Sequence, residues 1–354
     1  MEWVNSILNL VVPPASLVIL AMAWPTLSFI NACEWIYGMF YFQNMEDKVV
    51  IITGASSTLG EQIAYEYAKR GSILVLVARR ETRLHGIGEN ARRMGAKHVM
   101  IVAADVVKED ECRRFINEAI TFYGRVDHLV NATSLGHTFN FEEATDTSVF
   151  PHLMDINFWG NVYPTYVALP YLRQSKGRII VNASIENWFP LPSMSLYSAA
   201  KSALVNFYET LRLEVKEDVG ITIATHGWIG TDITRGKSMV NSGPDMQWRE
   251  EREVQMSNDR ALAEFAKLIV AGACRGDPYV KYPSWYDVFL LYRGYAPKVL
   301  GWTYRLLFGG VDTSRISALT GLSTPLLESS SPRKQSSPMP VPRATYLQQH
   351  MRVE

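Results

Sequence analysis

Hydrophobic positions along the chain follow two patterns. Residues 7–42 form one nearly continuous apolar run with a single charge, Glu34, whereas from Lys48 onward short apolar runs alternate with amphipathic stretches. The second pattern is typical of a parallel β-sheet whose strands are joined by crossover helices. It predicts strands at 49–53, 73–78, 98–103, 128–131, 178–182 and 221–225. We therefore expect an α/β fold with a doubly wound, Rossmann-type parallel sheet.

The stretches between these runs predict the helices. They begin near Thr58, Glu81, Lys108, Phe150 and Leu196, and a further helix is predicted over 259–273. A last strand is predicted within 278–283. The chain divides accordingly into a membrane anchor (1–45), a dinucleotide-binding domain (46–285), an aromatic extension (286–321) and a tail (322–354). Three roles remain open for the extension: it covers an apolar substrate, it packs on another subunit, or it lies on a membrane. The tail is rich in Ser, Pro and Arg and is predicted to be disordered.

The N-terminal run exceeds the ~20 apolar residues that a bilayer span needs. It lacks the positive start of a secretory signal peptide, since Glu2 lies in its first turn and no basic residue precedes Lys48. We therefore expect it to be retained. Pro13, Pro14 and Pro25 are disfavoured inside a helix because each lacks a backbone donor. A tilted span, a kinked span and a hairpin all remain open.

Composition limits the classes of partner. The chain has 35 basic and 35 acidic residues, so it offers no overall electrostatic footprint for nucleic acid. The three cysteines are far apart, and the seven histidines show no metal-ligand spacing, so we expect no metal site. A catalytic domain that faces a reducing, cytosolic compartment is the simplest interpretation.

A glycine-containing turn lies between the first strand and the first helix. Gly54 allows a tight turn, and free backbone N–H groups at the start of the helix favour a pyrophosphate. At the end of the second strand, Arg79 and Arg80 are predicted to accommodate the 2′-phosphate of NADP(H). The alternative is that Glu81 binds the ribose of NAD. Asp105, at the end of the third strand, is placed to contact adenine.

Four polar residues predict the chemistry. Tyr197 and Lys201 are four residues apart and so share one face of a helix. A phenol with a pKa of ~10 is a poor base near neutrality unless a neighbouring ammonium stabilises the phenolate. Ser184, at the end of a strand, can bind the reacting oxygen of a substrate, and Asn157 in the preceding long helix can hold a water relay.

These residues together resemble the short-chain dehydrogenase/reductase family over residues 48 to about 230. The segments 154–160 and 283–286 resemble its 11β-hydroxysteroid dehydrogenase-like branch, and the apolar N-terminus with prolines is similar to the plant steroleosins of oil bodies. The resemblance implies that Tyr197 donates and accepts the proton, Lys201 lowers its pKa and holds the nicotinamide ribose, Ser184 binds the substrate oxygen, and Asn157 supports the relay. The expected cofactor site comprises Gly54, Ser56, Ser57, Thr58, Leu59, Gly60, Arg79, Arg80, Asp105, Val106, Asn131, Tyr197, Lys201, Ile229 and Thr231.

The sequence departs from the family pattern at the cofactor site. Thr58 and the pair Thr133–Ser134 stand where glycine-containing motifs are usual, and their side chains are expected to crowd the cofactor. A lipid-surface protein that has lost turnover is therefore the alternative to an active enzyme.

The expected function is NADP(H)-dependent interconversion of hydroxyl and keto groups on a sterol-like substrate. The prolines resemble the proline knob of steroleosins, so we expect a hairpin anchor on the lipid-droplet monolayer or the cytosolic face of the endoplasmic reticulum. A homodimer is a further option.

Overall fold

A computed structural model describes residues 2–40, 42–137, 139, 141–189, 191, 194–227, 237–239, 246–248 and 257–308. Within these residues a seven-stranded sheet forms the centre of the molecule, and every pairing in it is parallel. Its strands are β1 (Val49–Thr53), β2 (Ile73–Ala78), β3 (His98–Ala103), β4 (His128–Asn131), β5 (Arg178–Ser184), β6 (Gly220–His226) and β9 (Tyr279–Tyr282). A short antiparallel pair, β7 (Lys237–Met239) and β8 (Met246–Trp248), is separate from this sheet.

The spatial order of the strands is β3-β2-β1-β4-β5-β6-β9. The chain thus runs outward from β1 in one direction and then crosses over to continue from β4 in the other. Thr53 and Asn131 are paired where β1 and β4 end, so the crevice beside them is the switch point at which such sheets bind ligands. The predicted doubly wound fold is confirmed, and the sequence-based strand limits agree to within about two residues.

Helices cover both faces of the sheet. One layer contains α2 (Thr58–Ala68), α3 (Glu81–Arg93) and α8 (Ser257–Arg275), whose apolar residues pack with one side of the strands. The other contains α4 (Glu109–Tyr123), α6 (Gly160–Ser175) and α7 (Ser195–Val215). A short helix, α5 (Val149–Met154), is joined to α6 by a π-helical turn, Asp155–Trp159. The inner strands β1 and β2 are buried on both faces, which explains their nearly continuous apolar sequences.

The N-terminal segment forms one helix, α1 (Glu2–Phe40), which contains all three prolines. At 1.5 Å per residue it is about 58 Å long, and it includes an exposed 21-residue stretch, Leu10–Ile30, that is long and apolar enough to cross a bilayer. The expected hairpin is therefore wrong: no turn interrupts the described residues 2–40. The Ser16 hydroxyl donates to the Pro13 carbonyl at 2.8 Å.

The aromatic extension begins as two helices, α9 (Val288–Tyr295) and α10 (Pro297–Phe308). The Tyr295 hydroxyl lies 3.3 Å from that of Ser16, so α9 contacts α1. The predicted tail, 322–354, lies outside the described residues.

Candidate active site

The turn after β1 requires glycine at two positions. Gly54 has a φ of +64°, and a Cβ there would lie 2.9 Å from the carbonyl carbon of Ala132. A Cβ on Gly60 would lie 2.4 Å from the Gly54 carbonyl oxygen. The Ser57 hydroxyl accepts from the backbone N–H of Gly60 at 3.0 Å and caps α2. The chain therefore turns tightly at the switch point and presents the start of α2 there.

A cavity follows the carboxyl ends of β1 to β4. Its lining residues are Gly54, Ser56, Ser57, Ala78, Arg79, Arg80, Ala104, Asp105, Val106, Val107, Ala132, Thr133, Ser134, Leu135 and Ile156. Seven residues predicted for the cofactor site are among them: Gly54, Ser56, Ser57, Arg79, Arg80, Asp105 and Val106. The narrow glycine turn, the helix start and the two arginines fit a dinucleotide, because they offer close backbone approach, N–H donors and positive charge.

The two arginines of the cavity have different surroundings. Arg80 donates to the backbone carbonyl of Ser56 at 2.6 Å and to its hydroxyl, so it supports the turn. Arg79 is exposed, and among the described residues its guanidinium has no hydrogen-bonded partner. Glu81 lies in the first turn of α3 with its carboxylate 3.7 Å from His85 and does not line the cavity. Of these two candidates for the adenosine ribose, Arg79 lines the cavity and Glu81 does not.

Asn131 differs from the expectation. Its side-chain amide is fully buried and donates to the Asn161 carbonyl, the Thr165 hydroxyl and the Tyr208 hydroxyl at 2.9–3.1 Å. The side chain thus ties β4 to α6 and α7 and does not line the cavity. Thr58, Leu59 and Gly60 belong to the first turn of α2 and also lie outside its lining. Ile229 and Thr231 fall outside the described residues.

Helix α7 carries Tyr197 and Lys201 on its buried face. The Lys201 ammonium donates to the backbone carbonyl of Asn182 at 2.9 Å and lies 5.7 Å from the centroid of the Tyr197 ring. Ser184 ends β5 next to them, and Ser184 and Tyr197 are within hydrogen-bonding reach of each other. The structure therefore brings together the three residues that the sequence places at 184, 197 and 201.

Burial disfavours the two charged groups that the sequence predicts at this site, the phenolate of Tyr197 and the ammonium of Lys201. Burial raises the pKa of the Tyr197 phenol, and the nearby Glu186 carboxylate raises it further. Burial also lowers the pKa of Lys201 to about 7, against which the charge of Glu186 acts. The expected lowering of the Tyr197 pKa by Lys201 is thus not found in this state. Tyr197 is instead held in its protonated form near neutral pH.

Asn157 lies in the π-helical turn between α5 and α6 and not in a regular helix. Its amide nitrogen donates to the carbonyl of Leu135 at 2.8 Å, and its amide oxygen accepts from the Leu135 N–H at 2.9 Å. The oxygen also accepts from the hydroxyl of Ser134 at 3.3 Å, which lies 3.4 Å from the Tyr197 hydroxyl. Asn157 thus fixes the loop after β4 against Tyr197, and its predicted part in a water relay stays a prediction.

Two residues near Tyr197 are not identified as site residues by the sequence. Ser134 differs from the family pattern only as a departure from a glycine-containing motif, yet its hydroxyl lies 3.4 Å from that of Tyr197. Glu186, in a short 3₁₀ turn (Ile185–Asn187), is buried and accepts a hydrogen bond from Ser184. Glu186 is the single acidic residue between Ser184 and Tyr197, which is the signal that the sequence offers. Among the described residues, no group of three or more His, Cys, Asp or Glu forms a metal site.

Comparisons with known proteins agree with this geometry. Residues 48–240 match the family model described as short chain dehydrogenase. The chain is 71% identical to 11-beta-hydroxysteroid dehydrogenase B of Sesamum indicum, over 95% of this chain and 92% of that protein. It is 65% identical to 11-beta-hydroxysteroid dehydrogenase-like 5 of Arabidopsis thaliana, over 94% and 86%.

Two solved structures share the fold. A short-chain dehydrogenase/reductase from Burkholderia phymatum in complex with NAD superposes with a TM-score of 0.61, at 23% identity, over 72% of this chain and 96% of that one. An alcohol dehydrogenase from Thermococcus sibiricus complexed with 5-hydroxy-NADP gives a TM-score of 0.50, at 27% identity, over 55% and 86%. These two relatives thus differ in the form of nicotinamide cofactor that they contain.

Proposed function

Because the chain belongs to the short-chain dehydrogenase family, we propose that it is an NADP(H)-dependent oxidoreductase that interconverts hydroxyl and keto groups on a sterol-like, apolar substrate. The observation that carries the proposal is the placement of Ser184, Tyr197 and Lys201 beside the loop that borders the dinucleotide-type cavity. The sterol-like substrate rests on the names of the plant relatives.

The choice of NADP(H) rests on Arg79. This side chain is exposed at the cavity, where it can make a charge-assisted hydrogen bond to a 2′-phosphate. Arg80 holds Ser56 and keeps the turn in place. When bound, the cofactor would exchange the hydride with the substrate. The protein's own residues bind and orient the two molecules and transfer the proton.

Tyr197 carries the proton of the reaction in this proposal. The phenol is protonated near neutral pH, so it can donate to a substrate carbonyl oxygen; in the oxidative direction its phenolate form accepts the proton of the substrate hydroxyl. Ser184 meets the same oxygen. Lys201 contributes a buried positive charge that is oriented by the Asn182 carbonyl. Asn157 holds the loop that carries Ser134 against Tyr197.

The test combines cofactor binding with turnover. Quenching of tryptophan fluorescence by NADPH, followed by oxidation of a hydroxysteroid, is expected for the detergent-solubilised full chain. Tyr197→Phe should lower turnover by about 10²- to 10⁴-fold with nearly unchanged cofactor affinity, because it removes only the transferable proton. Tyr166→Phe, an exposed site on α6, is the matched control. A Tyr197→Phe variant with more than about a tenth of the wild-type rate contradicts this role, which predicts at least a hundredfold loss.

We also propose that α1 attaches the enzyme to a membrane, with the catalytic domain in the cytosol on the endoplasmic reticulum or the lipid droplet. The support is the exposed apolar stretch Leu10–Ile30. Fractionation of cells into microsomes and droplets tests the location, and protease protection of tags at both termini tests whether α1 spans the bilayer. A homodimer remains a prediction that light scattering of the solubilised chain tests.

An inactive lipid-surface protein is the competing candidate. It predicts membrane attachment without turnover, even where NADPH binds. The wild-type oxidation assay therefore separates the two.

A further inference from the structure

Glu186 is a buried carboxylate at the centre of the candidate active site, with 6% of its surface exposed. It lies in the 3₁₀ turn directly after β5, two residues beyond Ser184. The Ser184 hydroxyl donates its hydrogen to one carboxylate oxygen of Glu186. Both Tyr197 and Lys201 are close enough to experience its charge. The proposed proton transfer by Tyr197 does not by itself require the Glu186 carboxylate.

The charge of Glu186 is compatible with its burial because a cation lies nearby. An isolated carboxylate in an apolar interior is costly unless it is paired and hydrogen-bonded. Here Lys201, whose side chain is fully buried, supplies positive charge, and the Ser184 hydroxyl supplies a hydrogen bond. An ionised carboxylate only accepts hydrogen bonds, so the hydrogen between the two residues belongs to Ser184.

The direction of this hydrogen bond determines what Ser184 offers a substrate. A serine hydroxyl has one hydrogen and two lone pairs. With its hydrogen directed to Glu186, Ser184 presents only lone pairs toward the reacting oxygen. Tyr197, which is protonated, presents a donor. A hydroxyl group satisfies both neighbours, because it donates to Ser184 and accepts from Tyr197, whereas a keto oxygen can only accept and meets the lone pairs of Ser184.

We propose that Glu186 is a positioning residue that turns Ser184 into a hydrogen-bond acceptor, so that the site binds the hydroxyl form of the substrate more tightly than the keto form. This inference rests on the proposed hydroxyl–keto chemistry and adds the form of substrate that the resting site prefers. The preference appears in dissociation constants, because the overall equilibrium of the reaction is fixed by the reactants and not by the enzyme.

The first experiment measures how tightly the hydroxyl form and the keto form of the substrate bind, each in a complex with the cofactor form with which it cannot react. Equilibrium dialysis of the full-length, detergent-solubilised chain gives the dissociation constant of the 11β-hydroxysteroid corticosterone with NADPH, and that of its 11-ketone with NADP⁺. Wild type should bind the alcohol more tightly. In Glu186→Gln the ratio of the ketone constant to the alcohol constant should fall about three- to tenfold, the range of one hydrogen bond, since the amide can donate to Ser184 and release its hydrogen.

Two variants separate this role from a general disturbance. Glu209→Gln makes the same chemical change at an exposed carboxylate that accepts from Tyr279, and its ratio should equal that of wild type. In a Ser184→Ala background, Glu186→Gln should no longer change the ratio, because the residue that transmits its effect is gone. A ratio that is unchanged in Glu186→Gln, or that changes equally without Ser184, overturns the proposal.

A second experiment needs no substrate. The infrared difference between wild type and Glu186→Gln isolates the Glu186 side chain, which should show an ionised carboxylate band that shifts in the Ser184→Ala background. A protonated carboxyl band, or a carboxylate band that Ser184→Ala leaves unmoved, contradicts the proposal. If neither steroid binds wild type, the proposed substrate class fails, and the infrared result still decides the role of Glu186.

Discussion

The buried ammonium of Lys201 should make the protein less stable at neutral pH than it would be with an apolar side chain at this position. Burial lowers the pKa of this group from 10.5 to about 7. Because the native state binds the proton more weakly than the unfolded chain, the cost is complete below pH 7 and shrinks as pH rises toward 10.5. A shift of 10.5 − 7 = 3.5 pKa units, at 1.36 kcal/mol per unit, corresponds to roughly 5 kcal/mol.

Lys201→Met removes this cost, but it also removes the hydrogen bond to the Asn182 carbonyl and the positive charge beside the buried Glu186. An unsatisfied buried carbonyl costs about 1–3 kcal/mol, and an unpaired buried carboxylate adds to this. The change with pH is therefore the sharper expectation. The remaining cost of the lysine is about 5 kcal/mol at pH 6 and about 2 kcal/mol at pH 9, so the stability of the variant relative to wild type should fall by about 3 kcal/mol between these pH values.

Thermal unfolding of the cofactor-free, detergent-solubilised chain at both pH values tests this expectation. Each kcal/mol corresponds to about 2–4 °C in Tm for a domain of about 150–250 residues, so the Tm difference between the two proteins should change by several degrees between pH 6 and pH 9. Lys267→Met, at an exposed position of α8, is the control and should show no pH-dependent difference. A Tm difference for Lys201→Met that is the same at pH 6 and pH 9 would refute the titration of a buried lysine.

Two further predictions concern the cofactor and the membrane. Arg79→Ala should weaken NADPH binding about 10- to 100-fold, which is the value of a charge-assisted hydrogen bond, and should leave NADH binding nearly unchanged. Fluorescence titration with both cofactors measures the two affinities. A wild type that prefers NADH would contradict this expectation. Ile19→Arg, in the middle of the apolar stretch of α1, should shift the protein from the membrane to the soluble fraction, because arginine costs about 2.5–3.5 kcal/mol at the centre of a span. Thr121→Arg, at an exposed position of α4, is its control, and full membrane retention of Ile19→Arg would contradict the anchor.

The sheet could be predicted from the sequence because its signals are local. Strands β1 and β2 are nearly continuous apolar runs that are buried on both faces. The glycine turn follows β1 directly. That Tyr197 and Lys201 lie on the same helix face also follows from their spacing of four residues and the period of a helix. These features depend on neighbours in the chain, so a single sequence contains them.

Features that depend on distant contacts could not be predicted. Asn131 was expected at the cofactor, but its side chain is directed to α6 and α7, which follow later in the chain. Asn157 lies in a π-helical turn whose amide is held by the backbone of Leu135. The prolines of α1 predicted a bend, yet the helix continues through them. In each case tertiary contacts or helix cooperativity outweigh the local preference of the residue.

The aromatic extension connects the anchor to the candidate active site. At one end of α9, Tyr295 contacts Ser16 of α1; from the same helix, Arg293 donates to the carbonyl of Trp188 at 2.6 Å. Trp188 directly follows the turn that contains Glu186. Exposed aromatic side chains on α9 and α10 include Tyr292 and Trp302. Under the proposed attachment of α1 to a membrane, these side chains lie on α9, which contacts the membrane helix, and on α10, which directly follows it. An apolar substrate, which partitions into lipid and is scarce in water, would therefore meet them on that side of the molecule.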